Sequence, residues 1–574
     1  MKPIYLFLIS SVISISGFAQ DRAAVKWGEE FKLRKGSTDL KVVFADKTGA
    51  YLEENHLAGK ALHVAGEAAT LLKVNTSLAE VYRHDFKKEL KGRNFVQFFS
   101  CGDDLFIFSS DYSKGDKQLA IFAAKVDKSS GELAGTWEQI TSLQQENKND
   151  VTNIRLTYNA DSTKMVIVSS VEGKERNEYK VQELDIDLKP SGKLITISNE
   201  FESKKFRLED LIYTINHKVI LVGRVYEYAE GKAKKEKFLD FDHYNIRVYN
   251  EKGKQESEIN TSINDKWLSS TRILQEGNEN LILAAFYSNK KRGSIDGLLV
   301  QRLDIASGKV VSTSNKQINN SLLSTAQADV NDNGDKDDDK EDKATKEELE
   351  KMKKEGEGFS KYMQFSRIFY TSDGGLVILA ESRENYSFTN STYTAGSSNI
   401  PGRWTTSTYS VYEYGDLLMC KIDAKGDVSW LDVLPKFQKE LYKTAQQSGT
   451  VAASFLPAGS LFEEFNMPFY AGFGAMKVGS NIKIIFNDNP KNAEVTQAGQ
   501  KIKGIGRLDR SDCFMLDVDE VTGKVSRKKL FSNVELPTAM PRLGSVIGND
   551  MYLVGRTNRA LAKTRIAVGK ISVK

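Results

Sequence analysis

The chain has 574 residues, with 81 Lys and Arg set against 77 Asp and Glu for a formal net charge of +4. A balance this close, spread along the whole length, leaves no basic stripe to track a nucleic-acid backbone. Three Cys without paired spacing, Cys101, Cys420 and Cys513, argue against a disulfide scaffold and read as packed thiols.

At the N-terminus, Lys2 precedes an apolar run from Ile4 to Ala19, with Gly17 and Ala19 at the small-residue positions of a cleavage site. Residues 1–19 therefore read as a removable signal peptide. The run is shorter than the roughly 20 residues of a membrane helix, and no later stretch approaches that length. The expectation is an exported protein, periplasmic or extracellular from about Gln20 onward, without stable membrane insertion.

The mature chain predicts a single domain, 20–574, built on a repeat. Seven short apolar strands recur: Leu105–Phe108, Met165–Val168, Val219–Val222, Leu281–Ala284, Leu376–Leu379, Ile482–Phe486 and Met551–Val554. Most follow a turn rich in Gly, Asp and Asn, residues that tolerate the positive φ of tight hairpins. In six units a second strand ends in another such turn, at Asp127–Gly131, Asp187–Gly192, Asn250–Gly253, Asp304–Gly308, Asp423–Gly426 and Asp519–Gly523. Two hairpins per unit make four antiparallel strands, and repetition at roughly 50 residues predicts an all-β fold, a β-propeller. A weaker unit over 39–86 brings the expected number of blades to eight; seven is the number if that unit packs elsewhere. The last unit supplies three strands, near 542–546, 551–554 and 565–573. The segment Val25–Leu33, with Trp27, is expected to close it as the fourth strand.

Long insertions interrupt the repeat at 226–242, 315–361, 381–415, 436–470 and 487–511. Alternating strand directions place them on one face, concentrated on blades five to seven, and loops on a rigid scaffold are where binding residues tend to sit. The acidic insertion 315–361 contains Asp329, Asn331, Asn333, Asp335 and Asp337 around Gly334, the early oxygen-ligand spacing of a calcium loop. Lys340 stands where such a loop needs its bidentate carboxylate, so a solvated acidic linker is the competing reading. No other cofactor is expected. Deleting residues 329–342 separates the two: a calcium site requires the intact chain to gain thermal stability with calcium and the deleted chain not to.

The Ser/Thr-rich segment 381–415 carries Tyr386, Phe388, Tyr393, Arg403, Trp404 and Tyr409. Flat rings among short hydroxyl side chains suit a sugar face, a peptide or a protein surface. The same alternation also suits a long hairpin whose rings cover a neighbouring blade. Signals for catalysis are thin. The five His lack metal-ligand spacing, and no nucleophile elbow, phosphate loop or zinc-protease helix is present. Ser372–Gly375 partly resembles the Asp-box turn of sialidase-like propellers, as a single incomplete copy.

At Gly374–Glu381, and then at Tyr414–Trp430 with the following Pro435 and Lys436, the chain resembles a group of uncharacterised exported proteins from Bacteroidota; the Gly17–Gln20 ending of the leader is similar as well. The resemblance implies export and a repeated β fold, and it carries no catalytic residue. The expectation is a non-enzymatic propeller that binds a protein, peptide or glycan of the cell envelope through its insertion face. The alternative is a carbohydrate- or peptide-acting hydrolase or lyase working in the central channel.

Overall fold

The computed structural model describes residues 23–32, 37–56, 69–145, 150–159, 162–173, 176–200, 205–214, 216–228, 239–260, 266–276, 280–289, 295–318, 362–394, 403–445, 468–557 and 565–573. Among these residues the regular elements are β-strands and three short 3-10 turns, and the strands form eight antiparallel sheets. In chain order the sheets are blade one (37–85), two (94–144), three (151–200), four (206–260), five (267–317), six (362–434), seven (473–532) and eight (538–573 with 23–32).

The apolar runs lie in the second strands of their blades, and period-two geometry explains why successive side chains are apolar, Lys483 of blade seven excepted. Leu105 and Ile107 pack toward Tyr51 and Leu71 of blade one, while Phe106 and Phe108 pack toward Met165 and Ile167 of blade three. Val166 and Val168 then meet blade four, and Ile220 and Val222 meet blade five. Every such side chain is buried from one side or the other, each contributing about 1.5–3 kcal/mol. The pattern continues around the circle. Blade eight sends Met551 and Leu553 against blade seven, and Tyr552 and Val554 against Leu40 and Leu52 of blade one. The weak N-terminal unit is thus a true blade between eight and two, and the ring has eight members.

The split blade closes as expected. Ala23–Trp27 pairs with Gly569–Val573, and Phe31–Lys32 pairs with Arg565 and Ile566. The indole of Trp27 lies where a Cβ on Gly569 would come within 2.9 Å of it, and meets Phe531 edge-on at 5.7 Å. The innermost strand of this blade differs from expectation. Pro541, without an N–H, breaks it into Thr538–Ala539 and Ser545–Ile547 around a 3-10 turn at Pro541–Leu543.

The recurring turns hold neighbouring blades together. Asn250 Oδ1 accepts from the amides of Lys252 and Lys254, and Asp423 Oδ1 from Lys425 and Asp427. Gly308 and Gly523 sit at φ 65° and 72°, where a Cβ would fall 2.7 Å from Ser257 Cβ and from Trp430 Cδ2 in the outer strand of the preceding blade. Blade three corrects the sequence reading. Its turn is capped by Asp185, which binds the amides of Asp187 and Lys189, and Leu188 takes the positive φ of 62°. Gly192 lies beyond it.

Candidate functional site

Each blade runs from its innermost to its outermost strand, so turns one-to-two and three-to-four open on one face, here the turn face. The two-to-three connections and the links between blades open on the other. The described ends of all five insertions lie on this second, insertion face.

On blade six the segment read as an aromatic loop is a continuous hairpin. Leu376–Thr394 pairs with Arg403–Ile422 out to the Thr394↔Arg403 pair, shifting register only between Glu381 and Arg383. Beyond blade six's outer strand, Gln438–Ala445 adds to the same edge along 407–414, making a three-stranded ribbon. Tyr386, Phe388 and Tyr409 lie on its base, only 8%, 5% and 5% exposed, with Val411 among them. The rings of Phe388 and Tyr409 stack at 5.1 Å. The Tyr386 hydroxyl donates to Glu413 at 3.1 Å, and Lys439 reaches the same oxygen at 2.9 Å. Burial and the adjacent Glu413 carboxylate raise the Tyr386 hydroxyl well above the usual phenol range. These three rings therefore pack against one another within the hairpin. Tyr393 and Trp404 are register partners near the end of the described hairpin, one pair short of Arg403.

The other side of the ribbon is fixed to the ring by Glu440. Its carboxylate accepts from the consecutive amides of Phe469, Tyr470 and Ala471, with Tyr470 at 2.6 Å, and from the Tyr442 hydroxyl. The next amide, Gly472, donates to Gln438 Oε1 at 2.9 Å. Four successive N–H groups are thus satisfied by two side chains of one strand. Burial pushes the Glu440 carboxyl upward against these donors. Phe469 then packs into the junction of blades eight and one, with Leu543 and Tyr552.

At the ribbon's root, Lys436 and Glu381 form an ion pair at 2.6 Å with both side chains fully buried, and Arg383 reaches the other Glu381 oxygen at 3.2 Å. Gln438 continues the link: its Nε2 donates to the Asn487 carbonyl at 2.6 Å. The blade seven insertion is bound in turn. The Ile505 amide donates to the Phe437 carbonyl at 3.0 Å, and the Lys439 amide to the Ile505 carbonyl at 2.9 Å. Within that insertion Asn492 Nδ2 donates to Asp488 and to the Lys503 carbonyl, and buried Asp488 pairs with Arg527 at 2.8 Å. The hairpin, the connector ends and the 487–511 segment are therefore one hydrogen-bonded body extending from blade six across blade seven to blade eight.

The remaining sequence candidates are placed as follows. Asp329, Asn331, Asn333, Asp335 and Asp337 lie outside the described residues, and among the described residues no group of three His, Cys, Asp or Glu could hold a metal ion. Asp373 of the Asp-box-like turn binds Lys421 and Thr371, and Ser372 Oγ donates to Glu520 of blade seven at 2.8 Å, so this turn ties two blades. All three Cys are buried and unbridged; burial pushes the Cys420 thiol up to about 12. Between the innermost strands of blades three and four, Arg155 pairs with Asp210 at 3.1 Å. Among the described residues no helix is long and apolar enough to cross a membrane. Sequence reasoning missed Glu440 and Lys436, which look like solvated charges in a mixed stretch; the available signal was the alternation of Gln438, Glu440 and Tyr442, which puts all three on one side of a strand.

No protein-family model matches the chain, and no curated protein matches it. Three solved structures similar to it are remote. The β-propeller domain of the Trilobed protease from Pyrococcus furiosus, with an open velcro topology, is 11% identical over 85% of this chain and 96% of its own, at a TM-score of 0.31. A Synechocystis apocarotenoid oxygenase mutant is 10% identical over 71% of this chain and 91% of its own, at 0.28. An alpha-L-arabinanase from Penicillium chrysogenum, complexed with arabinobiose, is 11% identical over 49% of this chain and 98% of its own, at 0.26. Likeness at this level transfers no activity.

Proposed function

We propose that the protein is an exported, non-enzymatic β-propeller that binds a protein, peptide or glycan of the cell envelope through the insertion face over blades six to eight. The observation that carries this reading is the joining of separate insertions into one body by buried ion pairs and backbone hydrogen bonds, Lys436 to Glu381 and Glu440 to Phe469–Ala471 above all. Ordering costs are among the main losses in association, and a surface already held in place avoids much of them. The ribbon's outer end, where Tyr393 and Trp404 stand opposite one another, is the part offered to a ligand. Tyr386, Phe388 and Tyr409 support it from below.

The test trims the ribbon without unseating it. Asn390 and Ser407 are register partners, so replacing 391–406 with a two-residue Gly turn leaves the pairing of 407–414 with 438–445 in place. Intact and trimmed mature protein are immobilised and exposed to envelope extract, culture medium and a polysaccharide array. A ligand retained by the intact form and lost by at least tenfold from the trimmed form is the expected result. Equal retention by both forms removes the ribbon from binding, and turnover of an arrayed polysaccharide would instead establish the hydrolase or lyase.

A further inference from the structure

Away from the insertion face, the turn between the first two strands of blade four departs from its counterparts. Blades two, three, six, seven and eight use Gly102, Ser162, Gly374, Gly479 and Gly548 there, all at positive φ. Blade four has His217, at φ 56°. A left-handed backbone is sterically unfavourable for a residue of this size, and such outliers persist where the surroundings fix them.

The imidazole is turned toward blade three. His217 Nδ1 lies 2.7 Å from the Tyr213 hydroxyl and 3.6 Å from Glu183 Oε2. The Glu183 side chain is 2% exposed; its Oε1 binds Lys164 at 2.8 Å and Ser191 Oγ at 2.7 Å, whereas its Oε2 is buried without a hydrogen-bond partner. His217 itself is 54% exposed, so solvent protons reach it. The titratable and charged groups around it are Lys164 and Glu183 of blade three, Tyr213 of blade four's innermost strand, and Glu251 of its outer turn, whose charge acts on Tyr213. The neighbouring Lys218 is held by Glu256 at 2.7 Å.

We propose that His217 is a proton-operated tie between blades three and four. When the imidazole is neutral, Nδ1 and Glu183 Oε2 compete for the one proton of the Tyr213 hydroxyl. When a proton is added, Nδ1–H becomes a donor facing a carboxylate, and the Tyr213 phenol is released to donate to Glu183; the junction gains a charge-assisted contact. Burial keeps Tyr213 a phenol, well above its usual range. Burial works to raise the Glu183 carboxyl, but Lys164, Ser191 and His217 outweigh it and hold the group below its ordinary value.

The sign follows from the partner. An imidazolium that gains a carboxylate on folding contributes stability that is complete below the unfolded His value and fades as pH rises through the folded one. The carboxylate contribution is present above the unfolded Glu value and is lost as pH falls through the lowered folded one.

The experiment compares unfolding of the full mature chain with that of His217→Asn, since Asn tolerates the left-handed backbone, at pH 5.5 and pH 8. The expected result is a wild-type advantage larger at pH 5.5, by about tenfold in the unfolding equilibrium constant for a one-unit difference in proton affinity, and abolished by Glu183→Gln. An advantage equal at both pH values overturns the proposal, as does a pH-dependent advantage that survives Glu183→Gln. If Glu183→Gln does not fold, NMR titration of labelled His217, assigned with His217→Asn, decides the matter: a midpoint above that of the urea-unfolded chain supports the tie, and one at or below it overturns it.

Discussion

Replacing Gly253 with Ala should destabilise the protein by about 3 kcal/mol or more, combining the left-handed penalty with an overpacking cost. Gly253 has φ 73°, and a Cβ there would overlap the carbonyl oxygen of Thr196 in the outer strand of blade three. That oxygen belongs to a strand paired with Arg176–Val181, with Lys180 opposite Thr196, and cannot swing aside as a side chain could. Gly102→Ala provides the contrast. Gly102 has a similar φ of 57° but nothing within 4 Å of its added methyl, so it should cost only about 1–2 kcal/mol. Urea unfolding of the two variants beside the parent measures both. Equal losses would mean that conformation alone sets the requirement for Gly and that the approach of the preceding blade plays no part.

The second large effect is expected at the root of the ribbon. Lys436→Met removes the cation from a fully buried pair and leaves Glu381 with Arg383 as its remaining charged partner. Breaking such a pair from one side typically costs about 3–5 kcal/mol, because the surviving charge stays in a poorly solvating interior. Changing Glu381→Leu together with Lys436→Met should recover part of that loss, since the desolvated charge is then gone. A double variant as unstable as the single one would show that Lys436 matters for its packing and its contact with Gln438 Oε1 at 3.0 Å rather than for its charge. Ligand retention should fall with Lys436→Met even where the ring remains folded, because the ribbon loses its fixed angle to blade seven.

The repeat was legible because its physical demands fall on few residue types. Alternate side chains of each second strand serve opposite neighbours, so these strands are apolar except where a buried charge is paired, as Lys483 is with Asp517, and the outer turns need a residue that accepts positive φ against the preceding blade. Where another device meets the demand, the signal vanishes. In blade three Asp185 carries the turn with its own side chain while Leu188 takes the unusual φ, and in blade one Asn75 does the same for Leu78, at φ 68°. Neither turn contains the Gly that marks the others. The interruption of blade eight's inner strand rests on Pro541 alone, a single missing N–H that the apolar pattern around it does not register.

The site was less legible than the ring. Composition identified the aromatic segment and the expected face, but it could not say which rings the ribbon covers; register does, by placing Glu384, Tyr386 and Phe388 opposite Glu413, Val411 and Tyr409. Glu440 and Lys436 escaped notice for a related reason. A charged side chain reads as solvated unless its partners are known, and those of Glu440 are backbone amides 29 to 31 positions further along the chain.

The closing strand has a consequence for topology. Ala23 and Val573 are register partners on the turn face, at the outer edge of blade eight. A two-residue hairpin linking them would make the backbone continuous there, and the chain could then be cut open at a turn of another blade without losing a strand pairing. Circular permutants of this kind would move the seam around the ring while leaving the insertion face intact, so the mechanical role of the seam could be separated from the identity of the blade that carries it.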